Sequence, residues 1–339
     1  MAGKLEQLGI TYRPHFKTHQ SAEIGNWYRD AGVTKITVSS PGMASYFIQN
    51  GWNDVTIGFP ATRSQCKDIE ELSGMAGISL FINDPVTAQY FAENSSNALN
   101  VFIEIDAGFN RSGVAADKPE LIEKIYKILD QSPVLNFYGF YVHDGRTYSV
   151  KGKKEVGKVI NPVITVLNEL KADYPNAKVC MGDTPSCSLL SSFPGIDELS
   201  PGNNVFYDLM QLNIGSCSLD DVAMAVACPV AQVKADEGEA IIYGGAVHFS
   251  KDRIEWNGRV TFGAVMDLNE DSFGNLIKGS YLKGVSQEHG QLKADPGWIS
   301  GLKPGDTICI LPVHSCLSAN LFDHYQTVDG NRIEKRILS

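Results

Sequence analysis

The sequence has no long apolar run, no excess of basic residues and no low-complexity tract. No stretch of about 18 consecutive apolar residues occurs, so we expect no membrane-spanning helix. Lys and Arg number 29 against 39 Asp and Glu, which gives a net charge of −10. This balance argues against a nucleic-acid partner, because phosphate binding requires clustered basic side chains. The first residues also lack the apolar core of a secretory signal peptide.

The seven cysteines are odd in number and scattered, unlike the cysteines of a disulfide framework. Most of them lie in apolar runs. We therefore predict buried free thiols in a protein of the reducing cytoplasm, with Cys316 as the exception. The cysteines are Cys66, Cys180, Cys187, Cys217, Cys228, Cys309 and Cys316.

The first part of the chain alternates short, β-branched apolar runs with helix-like segments. Two of the amphipathic helical stretches are residues 120–129 and 159–174. Eight strands that alternate with helices predict an α/β fold, a (β/α)8 barrel, with a doubly wound sheet as the alternative that periodicity leaves open. The strand-like runs are residues 10–16, 35–39, 54–59, 78–82, 100–105, 137–142, 177–181 and 198–206.

Beyond residue 214 the pattern changes to strand-like runs divided by Gly, Asp and Asn. We therefore predict two domains, a (β/α)8 barrel over residues 1–214 and an all-β domain over residues 215–339. The strand-like runs of the second domain are residues 222–233, 239–243, 258–267 and 306–310.

A lysine, Lys17, lies at the end of the first predicted strand, in residues 13–19 (RPHFKTH). In barrels of this kind the chemistry takes place at the carboxyl ends of the strands. Desolvation there lowers the pKa of a lysine and makes it a nucleophile and a base, and a Schiff base with pyridoxal phosphate is a common use of such a lysine. A solvated surface lysine is the alternative.

Three further loops at predicted strand ends suit an anionic ligand. Residues 182–186 (GDTPS) follow the seventh strand and residues 201–204 (PGNN) follow the eighth, where barrels often bind phosphate through backbone amides. Arg111 follows the fifth strand and would stabilise a cofactor phenolate or a substrate carboxylate through charge-assisted hydrogen bonds. The alternatives are ordinary turns and a surface arginine.

His314 and Cys316 lie two residues apart near the C-terminus, in a segment that we predict to be a strand. Side chains at positions i and i+2 of a strand point the same way. Imidazole and thiolate suit zinc, and two protein ligands leave coordination positions open for water or substrate. A buried cysteine beside a histidine that is hydrogen-bonded elsewhere is the alternative.

Taken together, these motifs resemble those of the D-serine dehydratase and D-threonine aldolase family, metal-dependent pyridoxal phosphate enzymes of the alanine racemase fold type. The resemblance covers most of the chain, and the motifs occur in the family's order. It is carried by residues 13–19 (RPHFKTH), 139–145 (GFYVHDG), 147–149 (TYS), 182–186 (GDTPS), 198–208 (ELSPGNNVFYD), 288–290 (EHG) and 312–316 (PVHSC).

The resemblance implies that Lys17 holds pyridoxal 5′-phosphate and later takes the Cα proton of the substrate. It also implies a Zn²⁺ ion on His314 and Cys316 that binds the substrate hydroxyl. Further cofactor contacts are implied for Arg111, Tyr148, Thr184, Gly202, Asn203 and Tyr207.

Dehydratases of this family tend to show His-x-Cys where the aldolases show His-x-Asp, so Cys316 favours a dehydratase. The implied reaction is elimination of water and ammonia from a D-3-hydroxy amino acid, with D-serine, which gives pyruvate, as the first candidate. The alternatives are retro-aldol cleavage of the D-threonine aldolase type, with Mn²⁺ or another divalent metal, and dehydration of D-3-hydroxyaspartate.

The resemblance further implies a small D-amino acid as the substrate and a homodimer as the assembly. Family members carry additional residues ahead of the lysine motif, including a strand of the β-domain, so we expect an uncovered edge in that domain.

A racemase is disfavoured because it has no use for a metal. A pyridoxal phosphate carrier without catalysis is disfavoured because it needs no β-domain. A degenerate, inactive relative is a further alternative.

Overall fold

The computed structural model describes residues 1–269 and 272–336 and divides the chain into two compact units, Met1–Gly202 and Asn203–Ser339. This division precedes the predicted boundary at residue 214 by one short helix. The segment after Gly202 groups with the second unit because the amide of Met210 donates to the carbonyl of Val313 at 3.2 Å.

The first unit is built on a parallel sheet whose strands run in the order β1-β9-β8-β7-β5-β4-β3-β2, with β6 paired to β5. A parallel bridge between His15 and Thr37 joins the chain beyond β1 to β2, so the two ends of the sheet meet. The strands are β1 Thr11–Tyr12, β2 Ile36–Val38, β3 Asp54–Pro60, β4 Gly77–Ile82, β5 Leu99–Asp106, β6 Val114–Ala115, β7 Leu135–His143, β8 Lys178–Gly182 and β9 Glu198–Leu199.

The predicted barrel is therefore confirmed, and a strand lies in each of the eight predicted runs. The eighth is shorter than predicted, because a 3-10 turn at Asn203–Val205 replaces its second half. The runs read as continuous apolar stretches because barrel strands are buried on both faces, as in β4, where residues 78–82 are all buried.

Helices alternate with these strands, as predicted. Pro119 occupies the first turn of α6, where its missing N–H costs nothing, and Ile122, Ile125 and Leu129 form the buried face of that helix. The helices of the first unit are α1 Ala2–Gln7, α2 Ala22–Asp30, α3 Pro41–Gln49, α4 Cys66–Ser73, α5 Pro85–Asn94, α6 Pro119–Gln131, α7 Gly152–Asp173 and α8 Thr184–Leu189.

The second unit is mainly antiparallel sheet, in the strand order β15-β14-β18-β10-β11-β17-β16, with separate pairs β12-β13 and β19-β20. Its strands are β10 Val226–Lys234, β11 Glu239–Tyr243, β12 Ile254–Trp256, β13 Arg259–Thr261, β14 Gly263–Leu268, β15 Phe273–Leu276, β16 Tyr281–Val285, β17 His289–Lys293, β18 Thr307–Pro312, β19 His324–Gln326 and β20 Arg332–Glu334. Its helices are α9 Leu209–Ile214, α10 Ala246–Phe249, α11 Pro296–Ser300 and α12 Ser315–Asn320. No helix among the described residues is long and apolar enough to cross a membrane.

Arg13 is a buried cation that ties the strands of the barrel together. Its guanidinium lies 2.6 Å from Oε2 of Glu198 in β9 and 2.6 Å from Oδ1 of Asp54 in β3, with 1% of the side chain exposed. Glu198 also accepts from the hydroxyl of Tyr138 in β7 at 2.8 Å and from Nζ of Lys35 at 3.2 Å. A charge this deeply buried requires such partners, because its desolvation costs several kcal/mol.

We expect Arg13→Met to lower the free energy of unfolding by about 3–5 kcal/mol, because it leaves the carboxylate of Glu198 buried without its main counter-charge. Urea unfolding followed by circular dichroism measures the loss. The double variant Arg13→Met/Glu198→Gln removes both charges and should recover part of it. Wild-type stability of the single variant would show that the ion pair does not stabilise the barrel.

Candidate functional site

Lys17 lies in the turn just beyond the bridge that His15 makes to β2. Its backbone amide donates to Nδ1 of His15 at 3.4 Å, and its carbonyl accepts from Nε2 of Gln20 at 3.1 Å. The lysine is where we predicted it, beyond the carboxyl end of the first strand. The expected desolvation is wrong for the chain on its own, because the Lys17 side chain is exposed.

Two histidines lie within the electrostatic range of Lys17 and Arg111. Burial lowers the pKa of His15 well below its ordinary value, and the charges of Lys17, His143 and Arg111 act in the same direction. His143 is the last residue of β7, and burial, followed by the charges of Arg111 and Lys17, lowers its pKa to about 3. The structure thus brings the predicted residues Lys17 and Arg111 together around two imidazoles that are neutral at neutral pH.

Arg111 lies in the loop that follows β5, with half of its side chain exposed. Its Nη2 lies 4.0 Å from Oε1 of Glu104, and its guanidinium stands 5.7 Å from the ring centroid of Phe109. Glu104 is buried and also accepts from Nδ2 of Asn83 at 2.8 Å and from the hydroxyl of Ser112 at 2.9 Å. Because 4.0 Å exceeds hydrogen-bonding distance, the contact with Glu104 leaves N–H donors of the Arg111 guanidinium for an anion.

The loop after β8 is fixed by the buried carboxylate of Asp183. Its Oδ2 accepts from the amide of Ser186 at 2.8 Å and from the hydroxyl of Thr147 at 2.9 Å. Burial raises the pKa of Asp183 to about 6. The amide of Thr184 donates to the hydroxyl of Tyr148 at 3.4 Å, so two of the predicted cofactor residues are in contact.

Gly202 lies against the strand end that precedes Lys17. A Cβ at this position would lie 3.1 Å from both Cβ and the carbonyl oxygen of His15, so a side chain would press on the lysine turn. The strand ends therefore carry two cations, Lys17 and Arg111, and two neutral imidazoles, His15 and His143. Together with the backbone of Gly202, which has no side chain, these groups fit a small dianionic cofactor such as pyridoxal phosphate.

We expect the imidazole of His143 to remain neutral between pH 5 and pH 8, because its pKa is lowered to about 3. The unfolded chain protonates this histidine near pH 6.5, so its contribution to stability is present above that pH and is lost as the pH falls toward 3. Ring ¹⁵N NMR, with the resonance assigned by its absence in His143→Asn, checks the charge state. A titration midpoint between pH 5.5 and pH 7.5 would contradict the buried, neutral assignment.

In the second unit, His314 and Cys316 do not lie on one strand. β18 ends at Pro312, His314 is the N-cap residue of α12, and Cys316 lies in the first turn of that helix. The strand argument that paired them is therefore wrong. Their side chains nevertheless hydrogen-bond to each other, because the chain turns from strand to helix between them.

Asp252 holds the other side of His314, with its Oδ2 2.9 Å from Nδ1 of the imidazole. Burial lowers the pKa of His314, but the hydrogen bonds to Asp252 and Cys316 and the charges of Cys316 and Asp208 outweigh it and raise the pKa to about 10. With Nδ1 engaged by Asp252, the imidazole faces Cys316 with Nε2, and a metal ion would replace the proton between these two side chains. Imidazole and thiolate side by side are a donor set that fits zinc.

Asp208 is a buried carboxylate that caps two helices. Its Oδ1 accepts from the amide of Gln211 in α9 at 2.8 Å, and its Oδ2 accepts from the amide of Ser315 in α12 at 2.9 Å. Nδ2 of Asn203 lies 2.6 Å from Oδ2 of Asp208, 3.1 Å from the hydroxyl of Ser315 and 3.4 Å from Sγ of Cys316, and these three acceptors share its two N–H groups. We predicted Asn203 as a cofactor contact, and the structure connects its side chain to Cys316.

The backbone of Tyr207 has a φ of 50°, the left-handed region, which is uncommon for a residue with a large side chain. It makes the turn that sets Asp208 at the start of α9. The cofactor contacts predicted for Tyr207 and for Asn203 remain predictions.

Asp252, Asp208 and Glu104 are site residues that the sequence did not reveal. Asp208 has a local signal, because an aspartate ahead of an apolar helical stretch is a typical N-cap. Asp252 has none, because it lies 62 residues from the histidine that it contacts. Within residues 1–269 and 272–336, no group of three or more His, Cys, Asp or Glu side chains could hold a metal ion, and the His314–Cys316 pair predicted as metal ligands stays a prediction.

A parallel barrel with a lysine beyond its first strand, followed by a mainly antiparallel β unit, defines the alanine racemase-like fold. The chain belongs to the alanine racemase N-terminal domain family, whose model matches residues 11–208. Residues 223–328 match a second family model, described as a putative serine dehydratase domain.

The chain is 29% identical to D-threo-3-hydroxyaspartate dehydratase of Delftia sp. strain HT23, over 98% of this chain and 90% of that protein. The solved structure of the Delftia enzyme has a TM-score of 0.87 and 28% identity, covering 98% of this chain and 92% of that one. A metal-free cysteine-to-alanine variant of D-threo-3-hydroxyaspartate dehydratase has a TM-score of 0.89 and 27% identity, with 98% and 92% of the chains covered.

D-serine dehydratase of Dictyostelium discoideum is 26% identical over 98% of this chain and 89% of that protein. D-threonine aldolase from Filomicrobium marinum has a TM-score of 0.83 at 22% identity, over 98% of this chain and 89% of that one. At that identity the likeness to the aldolase concerns the fold alone.

Proposed function

We propose that this chain is a pyridoxal phosphate- and zinc-dependent lyase that removes water and ammonia from a D-3-hydroxy amino acid. D-serine, which would yield pyruvate and ammonia, is the first candidate substrate. The observation that carries the proposal is the His314–Cys316 pair, oriented by Asp252, in a chain whose barrel presents Lys17 beside Arg111. The dehydratase names of the similar proteins support the same reaction class.

Bound pyridoxal phosphate supplies an electron sink that acidifies the Cα proton of the substrate. Lys17 would hold the cofactor through Nζ, and once the substrate amine has displaced it, the freed Nζ would take the Cα proton. Arg111 would donate hydrogen bonds to the phenolic oxygen, and backbone amides near Thr184, Gly202 and Asn203 would bind the phosphate. The neutral imidazoles of His15 and His143 place no further cation beside Lys17 and Arg111.

Bound zinc supplies a Lewis acid for the departing hydroxyl group. His314 and Cys316 would hold the ion, and two protein ligands leave coordination positions for water and the substrate oxygen. A similar solved structure, a variant of D-threo-3-hydroxyaspartate dehydratase, is described as a metal-free form, which supports a metal ion in this class of enzyme.

A second candidate substrate is D-3-hydroxyaspartate, which the similarity to the Delftia enzyme favours. It carries one more carboxylate than D-serine, and the half-exposed guanidinium of Arg111 has five N–H donors, enough to bind such a group as well as the phenolic oxygen. A third candidate is a different reaction, the retro-aldol cleavage of D-threonine to glycine and an aldehyde.

A homodimer remains part of the proposal, and so does a location in the cytoplasm. Large apolar side chains are exposed on β11, α10 and α12, namely Tyr243, Val247 and Leu317, with Leu321 directly after α12. Exposed apolar residues of this kind suit a subunit interface.

We expect purified protein supplied with pyridoxal phosphate and zinc to release pyruvate and ammonia from D-serine, or oxaloacetate and ammonia from D-3-hydroxyaspartate. Lys17→Ala should abolish the release, because the lysine both holds the cofactor and moves the proton. Coupled dehydrogenase assays measure the keto acids. Release of glycine and acetaldehyde from D-threonine, without any keto acid from the other two substrates, would establish the aldolase instead.

We expect Cys316→Ala to lose activity together with its response to zinc, because only one protein ligand remains. Activity is measured with EDTA and after zinc is restored. Cys217→Ala, which replaces another half-buried thiol of the second unit, is the matched control and should keep wild-type zinc dependence. Full activity of metal-stripped Cys316→Ala would exclude a role for zinc at this position.

A further inference from the structure

We infer that Asp252 and Asn203 are positioning residues of the metal pair, Asp252 acting through His314 and Asn203 through Cys316. The inference rests on the proposed function, since it requires a metal ion on those two ligands. It extends the proposed function by explaining how an ion with only two protein ligands could be held in a defined geometry.

Asp252 can orient His314 because it contacts the ring nitrogen on one side only. A carboxylate is only an acceptor, so the contact of 2.9 Å requires a proton on Nδ1 and turns Nε2, the atom that would bind the metal, away from Asp252. The amide of Asp252 donates to the hydroxyl of Ser250 at 3.1 Å, and the left-handed backbone of Ser250, with φ 65°, sets this loop. The carboxylate also makes the imidazole a more basic ligand.

Asn203 can act on Cys316 because its side-chain nitrogen is only a donor. Nδ2 lies 3.4 Å from Sγ, while its contacts with Asp208 at 2.6 Å and Ser315 at 3.1 Å fix the plane of the amide. Asn203 is buried, so this donor is oriented before any ion binds. A fixed N–H group beside a thiolate withdraws electron density from the sulfur and limits its movement.

The need for such residues follows from the size of the donor set. Structural zinc sites have four protein ligands, which define the geometry by themselves. Here the described residues supply no third ligand of the His, Cys, Asp or Glu type. The orientation of the two ligands must therefore come from the groups that contact them, and loss of one such group typically costs about 10–100-fold in metal affinity.

The test measures zinc affinity of metal-stripped protein by competition with a chromophoric chelator, which requires no turnover. We expect Asp252→Ala to bind zinc about 10–100-fold more weakly. Asp252→Asn keeps a carbonyl oxygen that accepts from Nδ1 of His314. Its zinc affinity should therefore lie between those of Asp252→Ala and the wild type. The Asp252 side chain is 43% exposed, so these changes leave no buried cavity. Asp323→Ala is the matched control, because Asp323 contacts the exposed His324 in the same manner.

Cobalt-substituted protein tests Asn203. In Asn203→Ala we expect the sulfur-to-cobalt charge-transfer band to shift, because Sγ loses an N–H donor. In Asp252→Asn, where the contact of Asn203 with Cys316 is kept, the band should stay at the wild-type position. Thermal melting in EDTA reports on the fold of each variant, and a merely structural role of Asn203 would lower the melting temperature without shifting the band. Should Asn203→Ala fail to fold, Asn203→Ser, which keeps a buried hydroxyl but removes the Nδ2 donor, is measured in its place and should shift the band in the same way.

The outcomes separate this inference from the proposed function. Wild-type zinc affinity of Asp252→Ala, with binding lost in His314→Ala, would overturn the positioning role and leave the metal pair in place. An unshifted cobalt band in folded Asn203→Ala would overturn the role of Asn203. Wild-type zinc affinity of both His314→Ala and Cys316→Ala would refute the metal site of the proposed function itself.

Discussion

The ion pair between Arg13 and Glu198 is the constraint on which the geometry of the first unit depends. A buried guanidinium is stable only when its charge is matched, and here the matching carboxylates lie on β9 and β3. Satisfying Arg13 therefore requires β1 to lie beside β9 and within reach of β3. The chain continues from Arg13 to the bridge at His15 and then to Lys17, so the same ion pair that joins the strands also fixes where the lysine emerges.

The second unit is organised by a buried group of opposite sign. Asp208 is held by the amides of Gln211 and Ser315 and by the side chain of Asn203, so one carboxylate fixes the starts of α9 and α12. Because α12 carries Cys316 in its first turn, its orientation sets the direction of the thiol. In each unit, the cost of burying a charge is thus offset by contacts that also position a reactive side chain.

The barrel could be predicted because burial on both faces makes parallel strands largely apolar, which leaves a signal in every run. Lys17 could be predicted from its place after the first run. The exposure of Lys17 could not, because solvent access depends on loops that converge from distant parts of the chain. The pairing of His314 with Cys316 was predicted for a wrong reason, since two residues of spacing suit a strand and a strand-to-helix turn alike. Asp252 could not be predicted, because only the tertiary fold brings it to His314.

A metal that must bind a substrate oxygen needs coordination positions that exchange, and each added protein ligand removes one of them. A site with two protein ligands keeps those positions but gives up the rigidity that four ligands provide. Hydrogen bonds to the ligands restore rigidity without occupying the metal. Asp252 and Asn203 also act in opposite electronic directions, because a carboxylate makes the imidazole a stronger donor whereas an N–H group makes the thiolate a weaker one. In the proposed site, the Lewis acidity of the ion would therefore depend on two side chains that do not coordinate it as well as on its ligands.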